Sequence, residues 1–567
     1  MNNIKQIISL LKRLNFIIIN SGITNFKLVT YLLTLKSFFE MIGIGLIYSL
    51  IDLIINKELI EVNLLYKFLI SFEYQISASN FIFIYGLFSI LFFVISAIIS
   101  ISAKIHSDNL IWEVHSKIIS ISFEKHIHDS LSTYKNSNSS HTTNDIINEV
   151  RIFCNGFLVN FMDVIPRIFL LIFLTLFLFF VNPLITLISL AFLGLFYGVL
   201  LSFLKKRINK MSQDRYLYQN NLFDYVNSSI RAIKDIRINS FENYFIKKIE
   251  NPANKYAMLS KGISIYASIP KFFIESIVLI SITTFLTFNL NEDDITFQIP
   301  MISVLALSLI KLLPVIQGMF TNFTRLRFNF KSLKVVEDNI LFNMQREADR
   351  VVEKEIFYSL EFKNINFSYS SKIILKNINF KFNRGDFWLL LGDSGSGKTT
   401  FTELMLGFLS PNSGKIFFNN ELWEMNVLLS KKTTLGYVSQ DIILFEGDLV
   451  ENITLRSNYQ LKIDDKKIAD LINLCSLEDV IQSIGGINGF ISEGGKNLSA
   501  GQKQRIILAR ALFKEPELLI LDEATSALNS KLERKILQKL QQSNMSILMI
   551  THNESLKEFS NKTLTLN

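Results

Sequence analysis

A glycine-rich loop followed by a lysine and two threonines carries the clearest chemistry in this sequence. Residues 392–399 read GDSGSGKT and fit the pattern G-x-x-x-x-G-K-[ST] at every position, between the apolar run WLLL and a predicted helix. Glycines let backbone N–H groups wrap a β-phosphate, Lys398 neutralises the β- and γ-oxygens, and Thr399 places a hydroxyl on Mg²⁺. By itself the loop indicates nucleotide binding and no particular reaction.

Two adjacent carboxylates follow the loop further along the chain. The stretch LLILDEATSAL, residues 518–528, has the apolar run of a buried parallel strand and leads into Asp522 and Glu523. At the end of such a strand, Asp522 can hold Mg²⁺ through a water molecule, and Glu523 can polarise an attacking water. Their order after a phosphate loop predicts hydrolysis of the bound nucleotide.

Four short motifs add to the loop and the carboxylates. The sequence NLSAGQKQR, residues 497–505, resembles the signature of ATP-binding-cassette (ABC) proteins, which separates them from other phosphate-loop ATPases. Gln440 in YVSQDIILF resembles the Q-loop of that family, and His552 in MITHN resembles its switch histidine. Tyr369 in FSYSSK lies where the family stacks an aromatic ring on adenine. The motifs occur in the family's order over the C-terminal part of the chain.

The resemblance implies a complete set of site residues. Glu523, His552 and Gln440 are the expected catalytic residues. The expected nucleotide contacts are Tyr369, Gly392, Ser394, Gly395, Gly397, Lys398, Thr399, Thr400, Ser499, Gly501 and Gln502. The expected metal-site residues are Thr399, Gln440 and Asp522. We therefore expect an ATPase that uses ATP and Mg²⁺.

Two positions depart from the family's pattern. Ala500 replaces a glycine of the signature, and Asn529 replaces the aspartate of the D-loop motif. The extra methyl at residue 500 is tolerable where the local backbone is not left-handed. An amide at residue 529 would slow hydrolysis or weaken communication between sites. Because Glu523 and His552 are intact, we still expect an active enzyme.

The signature also carries an expectation about stoichiometry. In the family, the signature helix of one cassette faces the γ-phosphate held by another, so that a single cassette cannot complete a site. This chain has one cassette, which makes it half of a transporter. A homodimer with a second copy gives two competent sites and is the favoured arrangement, whereas pairing with a sister chain is the alternative.

The elements that must position these residues follow from the hydrophobic pattern. From residue 359 onward, strand-like alternation gives way to apolar strands alternating with helices, as in an α/β domain. Upstream, the chain contains six apolar stretches long enough to cross a membrane. They lie at roughly 27–55, 81–103, 165–182, 184–204, 268–290 and 300–320.

The composition supports this division. Of the 567 residues, 49% are hydrophobic and 50 are Phe, yet 19% are charged, which indicates a membrane part joined to a soluble part. The net charge of +8 fits basic cytoplasmic loops better than a nucleic-acid partner, and we expect no nucleic acid. The two cysteines, Cys154 and Cys475, are far apart, so that neither a disulfide nor a metal framework is expected.

The predicted fold class is a membrane α-helical bundle of six long transmembrane helices, of the ABC exporter type, fused to a C-terminal α/β P-loop ATP-binding cassette. The expected domains are 1–325 for the transmembrane part, 326–356 for a linker and 357–567 for the cassette. The first begins with an amphipathic helix and carries long cytoplasmic helix extensions. Basic residues such as Lys205 and Arg207 close the fourth span, which places the cassette and both termini in the cytoplasm of a bacterial inner membrane.

Charged residues in the spans give the only indication of the cargo. Lys271 and Lys311 lie within or beside predicted spans, where a cation costs roughly 2.5–3.5 kcal/mol and so has a function by default. Lys271 could instead reach the inner interface, and Glu275, one turn later, could neutralise it. If both lysines face the cavity, they suit an anionic diphosphate headgroup. These stretches and the cassette resemble bacterial lipid-linked oligosaccharide flippases of protein N-glycosylation.

That resemblance implies ATP-driven flipping of a polyprenyl-diphosphate-linked glycan from the cytoplasmic to the outer leaflet, with membrane lipid and the glycan as partners. The family's basic position on the second span has no counterpart in the uncharged FIFIYGLFSILFFVISAIISIS. Two alternatives stay open. One is export of a drug, a peptide or another lipid, and the other is a regulatory cassette protein that transports nothing.

Overall fold

The chain forms two compact units, one within residues 1–347 and one within residues 348–567. We call them the membrane unit and the cassette unit. The computed structural model describes residues 13–14, 16–20, 25–55, 60–61, 63–70, 77–128, 138–181, 183–288, 295–346, 356–369, 372–393, 395–423, 435–455, 465–543 and 545–566. The side chains of residues 284–311 lie outside the described set.

The membrane unit is helical. Its α-helices are α1 (Phe26–Ile55), α2 (Leu64–Ile70), α3 (Ala78–His128), α4 (Ser139–Thr143), α5 (Val150–Ile152), α6 (Val159–Val181), α7 (Pro183–Arg231), α8 (Ile233–Ile238), α9 (Glu242–Phe288), α10 (Ile295–Phe328) and α11 (Phe330–Arg346). Two π-helical stretches, π1 (Asn144–Glu149) and π2 (Phe153–Leu158), join α4, α5 and α6.

Three of the helices are far longer than a bilayer core requires. Helices α3, α7 and α9 have 51, 49 and 47 residues. At 1.5 Å per residue each spans roughly 70–77 Å, against a hydrocarbon core of about 30 Å. The prediction that the polar intervals continue the spans as helices is confirmed. Of the residues described, Phe26–Ile54, Ala78–His128 and Ser139–Phe180 are long and apolar enough to cross a membrane.

A buried ion pair joins three helical elements of the membrane unit. Arg215 of α7 donates two hydrogen bonds of 3.0 Å to the carboxylate of Glu149 at the end of π1. It also donates to the hydroxyl of Ser332 on α11 at 3.0 Å. All three side chains are buried. Because a buried charge is costly without a partner, this bidentate contact fixes how π1, α7 and α11 pack together.

Helix α11 lies in the segment that the sequence interpretation treats as linker. Its residues Leu333, Val336 and Ile340 are buried in one hydrophobic cluster with residues of α3 and π2. The apolar spacing of three and four residues explains why this charged segment is helical and why it packs into the membrane unit. The domain limits 1–325, 326–356 and 357–567 stay a proposal.

Residues near the N-terminus pack against the same cluster. Leu14, Ile17 and Ile18 are at most 2% exposed, and Arg13 forms an ion pair of 3.4 Å with Glu337 of α11. These apolar side chains therefore contact protein.

The cassette unit is an α/β structure. Its strands are β1 (Ser359–Tyr369), β2 (Lys372–Asn383), β3 (Phe387–Gly392), β4 (Ser413–Phe418), β5 (Glu421–Leu422), β6 (Leu435–Val438), β7 (Gly447–Asp448), β8 (Phe490–Ile491), β9 (Leu518–Asp522), β10 (Ser546–Ile550) and β11 (Lys562–Leu566). Its α-helices are α12 (Lys398–Met405), α13 (Leu449–Thr454), α14 (Asp465–Cys475), α15 (Glu478–Ile484), α16 (Ala500–Phe513) and α17 (Ser530–Gln542).

Two main sheets build the cassette core. An antiparallel sheet has the order β2-β1-β4-β5, and a parallel sheet has the order β11-β3-β10-β9-β6. Every residue of β9 and β10 is buried, as continuous apolar strands in a covered parallel sheet should be. The carboxyl ends of β3, β10, β9 and β6 are therefore neighbours along one edge of this sheet. Ligands of open α/β sheets bind at such an edge.

Candidate functional site

The phosphate loop leaves the carboxyl end of β3 and leads into α12. Lys398, the first residue of α12, points its ammonium back into the loop, where it donates to the carbonyl oxygens of Gly392 at 2.7 Å and of Asp393 at 3.1 Å. Gly397 has φ +96°, and a Cβ there would lie 2.9 Å from Ile374, so that only glycine fits. The N-terminus of α12 and the lysine create an anion-binding concavity.

The loop also contains a hydroxyl group that is available to bind a ligand. The hydroxyl of Ser396 is buried and, in the part of the loop that the structure describes, has no hydrogen-bond partner. A Cβ added at Gly395, where φ is +87°, would meet no atom within 4 Å. The side chain of Thr399 is exposed, whereas Thr400 is buried. An open cradle with spare donors fits the phosphates of a nucleotide.

The two carboxylates at the end of β9 lie in different environments. Asp522 is buried and accepts a hydrogen bond of 3.2 Å from the hydroxyl of Tyr437. Burial raises the pKa of Asp522, and the Tyr437 hydrogen bond acts in the opposite direction. Within the described part of the chain Asp522 forms no ion pair. A buried carboxylate without a cation is the kind of ligand that a hard divalent ion would complete.

Glu523 has a strained backbone. Its φ is +50°, a left-handed conformation that residues other than glycine rarely adopt. Its N–H donates to the carbonyl oxygen of Ile550 at 3.0 Å, which ties the turn after β9 to β10. Strain of this kind is retained where it directs a side chain to a functional position.

The side chain of Glu523 lies between two predicted catalytic residues. Gln440, after β6, donates from Nε2 to Glu523 Oε2 at 2.9 Å. His552, after β10, has Nε2 at 3.0 Å from Glu523 Oε1 and at 3.1 Å from Lys398 Nζ. One nitrogen cannot donate to Glu523 and accept from Lys398 at once, so the two contacts belong to different tautomers. The four side chains form a continuous row along the sheet edge.

The signature segment begins helix α16. Ser499 is its N-cap and accepts from Gln502 N, while the Gln502 side chain accepts from Ser499 N at 2.9 Å. This capping box fixes the helix start. Ala500 is helical, so its extra methyl needs no left-handed backbone. A Cβ at Gly501 would lie 2.9 Å from the carbonyl oxygen of Ala527, which explains glycine there.

Gln504 is a functional candidate that the sequence interpretation missed. Its side chain is 6% exposed. It donates to the carbonyl oxygen of Glu523 at 3.3 Å and accepts from Ala527 N at 3.0 Å. Gln504 therefore holds the segment after β9 against α16. The run of glutamines in GQKQR was the available signal, since a buried amide usually satisfies backbone groups.

The remaining predicted cassette residues lie as follows. Tyr369 ends β1 with its ring 43% exposed, which leaves a face available for stacking. Ser394 lies outside the described residues. Asn529 is the N-cap of α17 and accepts from Leu532 N at 2.9 Å. Because an aspartate could accept the same bond, the amide preserves the local geometry of the D-loop.

The charged residues predicted for the cargo site give a mixed result. Lys271 forms an ion pair of 3.8 Å with Glu275 on α9. This i, i+4 contact offsets the charge that Lys271 would present to an anion. Lys311 lies on α10, and its side chain is outside the described residues.

Comparison with known families identifies both parts of the chain. Residues 26–310, half of the chain, match the ABC transporter transmembrane region. Residues 375–526 match the ABC transporter family of ATP-binding domains. The fold resembles that of a bacterial Atm1-family ABC exporter with ATP bound, with a TM-score of 0.76, 16% identity and coverage of 98% of this chain and 94% of that one. These matches confirm the predicted fold class.

Related proteins of known name are also transport proteins. The ATP-dependent lipid A-core flippase of Paraburkholderia xenovorans (strain LB400) is 26% identical over 455 residues, which is 78% of this chain and 75% of that protein. The alpha-hemolysin translocation ATP-binding protein HlyB of Escherichia coli O157:H7 is 33% identical over 228 residues, 39% of this chain and 32% of that protein. The chain belongs to the ABC transporter family as a membrane-spanning half-transporter that couples ATP hydrolysis to transport.

Proposed function

We propose that this chain is a homodimeric flippase that moves a polyprenyl-diphosphate-linked oligosaccharide, or a similar lipid-linked glycan, from the cytoplasmic to the outer leaflet. The observation that carries the proposal is the 26% identity over 455 residues to a protein named as a lipid A-core flippase. A match of that length exceeds the cassette and includes the membrane region. The match to HlyB has only the length of a cassette, so it favours no particular cargo.

The row of side chains at the sheet edge assigns the steps of hydrolysis. Lys398 and the loop N–H groups hold the β- and γ-phosphates, and Tyr369 stacks on the adenine. Glu523 accepts a hydrogen bond from the attacking water and orients that water toward the γ-phosphate. Gln440 and His552 hold the Glu523 carboxylate from both sides, and His552 in its other contact lies beside Lys398. Turnover therefore depends on Glu523 and on its two neighbours.

Mg²⁺ fits the oxygen ligands of this site. Asp522 and the exposed hydroxyl of Thr399 would hold it together with the phosphates. Gln440, the third predicted metal-site residue, is hydrogen-bonded to Glu523, the residue after Asp522. Among the described residues no group of three or more His, Cys, Asp and Glu could hold a metal alone. Mg²⁺ commonly takes one or two protein ligands and completes its shell with phosphates and water. The ion would neutralise charge that develops on the transferred phosphoryl group.

A second copy is inferred because, in the family, the signature helix of one cassette faces the γ-phosphate held by another. Ser499 caps the start of α16 and accepts from Gln502 N, and the N–H groups of Ala500 and Gly501 lie at the helix start, where an anion binds. A symmetric homodimer would present this helix start to the phosphate loop of the other copy and would form two equal sites.

We place the protein in the bacterial cytoplasmic membrane as a multi-pass protein, with the cassette and both termini in the cytoplasm. Basic residues at the ends of the second and fourth predicted spans support this orientation.

Replacing Glu523 by Gln tests the ATPase assignment. The change keeps the size of the side chain and removes the charge that polarises water, so we expect ATP turnover to fall at least about a hundredfold while ATP still binds. Phosphate release and nucleotide binding should be measured on the purified chain. A variant that hydrolyses ATP at the unmodified rate would remove Glu523 from the mechanism. It would also favour a regulatory protein over a transporter.

A reconstituted flipping assay tests the cargo. Vesicles that contain the protein and a fluorescent lipid-linked glycan should show ATP-dependent transfer to the outer leaflet. Lys311→Ala should slow this transfer, whereas Lys104→Ala should not, because Lys104 is already paired with Asp108 at 2.8 Å. If no glycan moves but a drug or peptide is exported, the alternative cargo is correct.

A further inference from the structure

A polar pocket of about 420 Å³ lies between two helical walls of the membrane unit. Positions on each wall repeat at three- and four-residue spacing, so each set occupies a single helix face. One wall, on π2 and α6, consists of residues Asn155, Val159, Asn160, Asp163 and Arg167. The other wall, on α10, consists of residues Pro314, Gln317, Gly318, Thr321, Asn322 and Arg325. Lys271 is not among the residues that line the pocket.

The residues that line the pocket carry a net positive charge. The lining contains two basic residues, Arg167 and Arg325, and one acidic residue, Asp163. The net charge of the lining is therefore +1 for each copy. In the described part of the chain, neither guanidinium forms an ion pair within 4.0 Å or a side-chain hydrogen bond. Each guanidinium has five N–H donors and no acceptor, so both are suited to an anion.

Two donors in the pocket are buried and have no hydrogen-bond partner among the described residues. One is Nη1 of Arg167 and the other is Nδ2 of Asn322, a residue that is 4% exposed. Buried donors are nearly always paired in folded proteins, and an exception requires an explanation. Because one unpaired donor is charged and both lie on the pocket wall, the partner they lack is an acceptor-rich, negatively charged group. An unpaired buried side chain and a set of converging donors are the signs of a binding site.

The position of Arg167 is set by a glycine on the opposite wall. A Cβ at Gly318 would lie 2.5 Å from the Arg167 guanidinium carbon and 2.7 Å from Nε. The guanidinium therefore rests on the bare backbone of α10, close to Asn322 and Gln317. Gly318 acts as a positioning residue, because even the smallest side chain there would displace Arg167.

The surroundings indicate an amphipathic ligand. Helix α6 belongs to a candidate membrane span, Ser139–Phe180. The residues that follow Arg167 on it include Ile168, Phe169 and Ile172, which are between 36% and 46% exposed. An apolar chain can lie along these side chains while its charged end reaches the arginines. A diphosphate also offers more acceptor oxygens to two guanidinium groups and two amides than a carboxylate does.

We propose that this pocket binds the phosphate or diphosphate headgroup of a lipid, with Arg167 and Arg325 as its two cationic contacts. The inference rests on the proposed function, since it assigns the charged part of the transported lipid to a site.

Binding of farnesyl diphosphate to the purified full-length protein in neutral detergent tests the site. The lipid should bind to the unmodified chain, and Arg167→Gln and Arg325→Gln should each weaken binding about tenfold or more. Gly318→Ala keeps both charges but displaces Arg167, so it should weaken binding by about threefold to tenfold. Arg327→Gln is the matched control, because it removes a charge from the same helix end at a position outside the pocket. Its affinity should stay within about twofold.

Several results would overturn the proposal. Unchanged binding by both arginine variants would do so, and so would an equal loss in Arg327→Gln, which would indicate a general effect of positive charge at this helix end rather than a contact in the pocket. Inorganic diphosphate that competes as strongly as the lipid would show a site for the free ion. Size-exclusion profiles identify a variant that does not fold, in which case Arg167→Lys, which keeps the charge and loses the planar fork, replaces Arg167→Gln and should bind several times more weakly.

The two proposals can fail separately. Arginine-dependent lipid binding without glycan flipping would leave this pocket standing and refute the glycan cargo. Normal glycan flipping by the Arg167→Gln, Arg325→Gln double variant, with unchanged KM for the lipid, would refute the pocket and leave the cargo standing.

Discussion

At the residue scale, the ATP site depends on one carboxylate in an unfavourable backbone conformation. Glu523 has φ +50°, and such conformations cost on the order of 1–3 kcal/mol unless the surroundings enforce them. The enforcement comes from Ile550, whose carbonyl accepts the Glu523 N–H, and from Gln504, which binds the Glu523 carbonyl. The geometry of the catalytic carboxylate is thus determined by residues that touch no substrate.

Gln504→Leu should lower ATP turnover without weakening ATP binding. The amide binds the backbone of Glu523 and Ala527 and lies outside the phosphate loop, so we expect kcat to fall about tenfold and KM for ATP to change less than about threefold. Gln504→Glu, which retains the acceptor for Ala527 N, should recover part of the rate. Gln541→Leu, in the same unit, is the control. If the fall in kcat is accompanied by a lowered melting temperature, and both are recovered together in Gln504→Glu, the role of Gln504 is purely structural.

At the element scale, a tight contact joins π2 to the junction of α10 and α11. Asn329, in the turn between these helices, donates to the carbonyl oxygens of Gly156 and Arg325, each at 3.0 Å. A Cβ at Gly156 would lie 2.6 Å from the same Asn329 nitrogen. The π-helical stretch therefore brings a bare backbone carbonyl to the helix junction. Elements of this kind often occur at functional positions.

Gly156→Ala should destabilise the membrane unit by on the order of 1–3 kcal/mol, because the methyl must displace a buried, hydrogen-bonded amide. Gly45→Ala is the matched control, since a Cβ there meets no atom within 4 Å. Alanine favours a helix over glycine by about 1 kcal/mol, so the control should be neutral or stabilised. Equal melting temperatures for the Gly156 variant and the unmodified chain would contradict the close contact.

At the scale of the whole molecule, the half-transporter carries one phosphate loop and one signature helix. The proposed homodimer places Lys398 of one copy opposite Ser499 of the other. A site made from two copies has a consequence that a site within one chain lacks: two different inactive variants can restore each other.

Mixing Lys398→Ala chains with Ser499→Arg chains should restore ATP turnover. Each variant alone has two broken sites, but a mixed dimer has one site with both lesions and one intact site. Random pairing of equal amounts should give at most about a quarter of the unmodified number of sites. ATP hydrolysis by co-expressed, separately tagged chains is the measurement. A mixture as inactive as either variant alone would favour a site within one chain.

Much of the chemistry is local and could be predicted from the sequence. A phosphate loop acts through backbone conformation and adjacent side chains, so GDSGSGKT predicted the anion-binding loop between β3 and α12. The long helices were predictable because apolar and helix-permissive stretches follow each other with few Gly or Pro residues, although α9 contains Pro252 and Pro270. The polar stripe of residues 314–325, at helical spacing, was also present in the sequence.

The tertiary structure determined which functional residues are neighbours in space. Along the chain the catalytic residues occur in the order Lys398, Gln440, Glu523 and His552, but in space the order is Lys398, His552, Glu523 and Gln440, because the strands that carry them are ordered β3-β10-β9-β6. Likewise, only the fold joined Arg167 to Gly318, residues far apart in the chain. Motifs depend on neighbours along the backbone, whereas strand order and helix pairing depend on burial over the whole molecule.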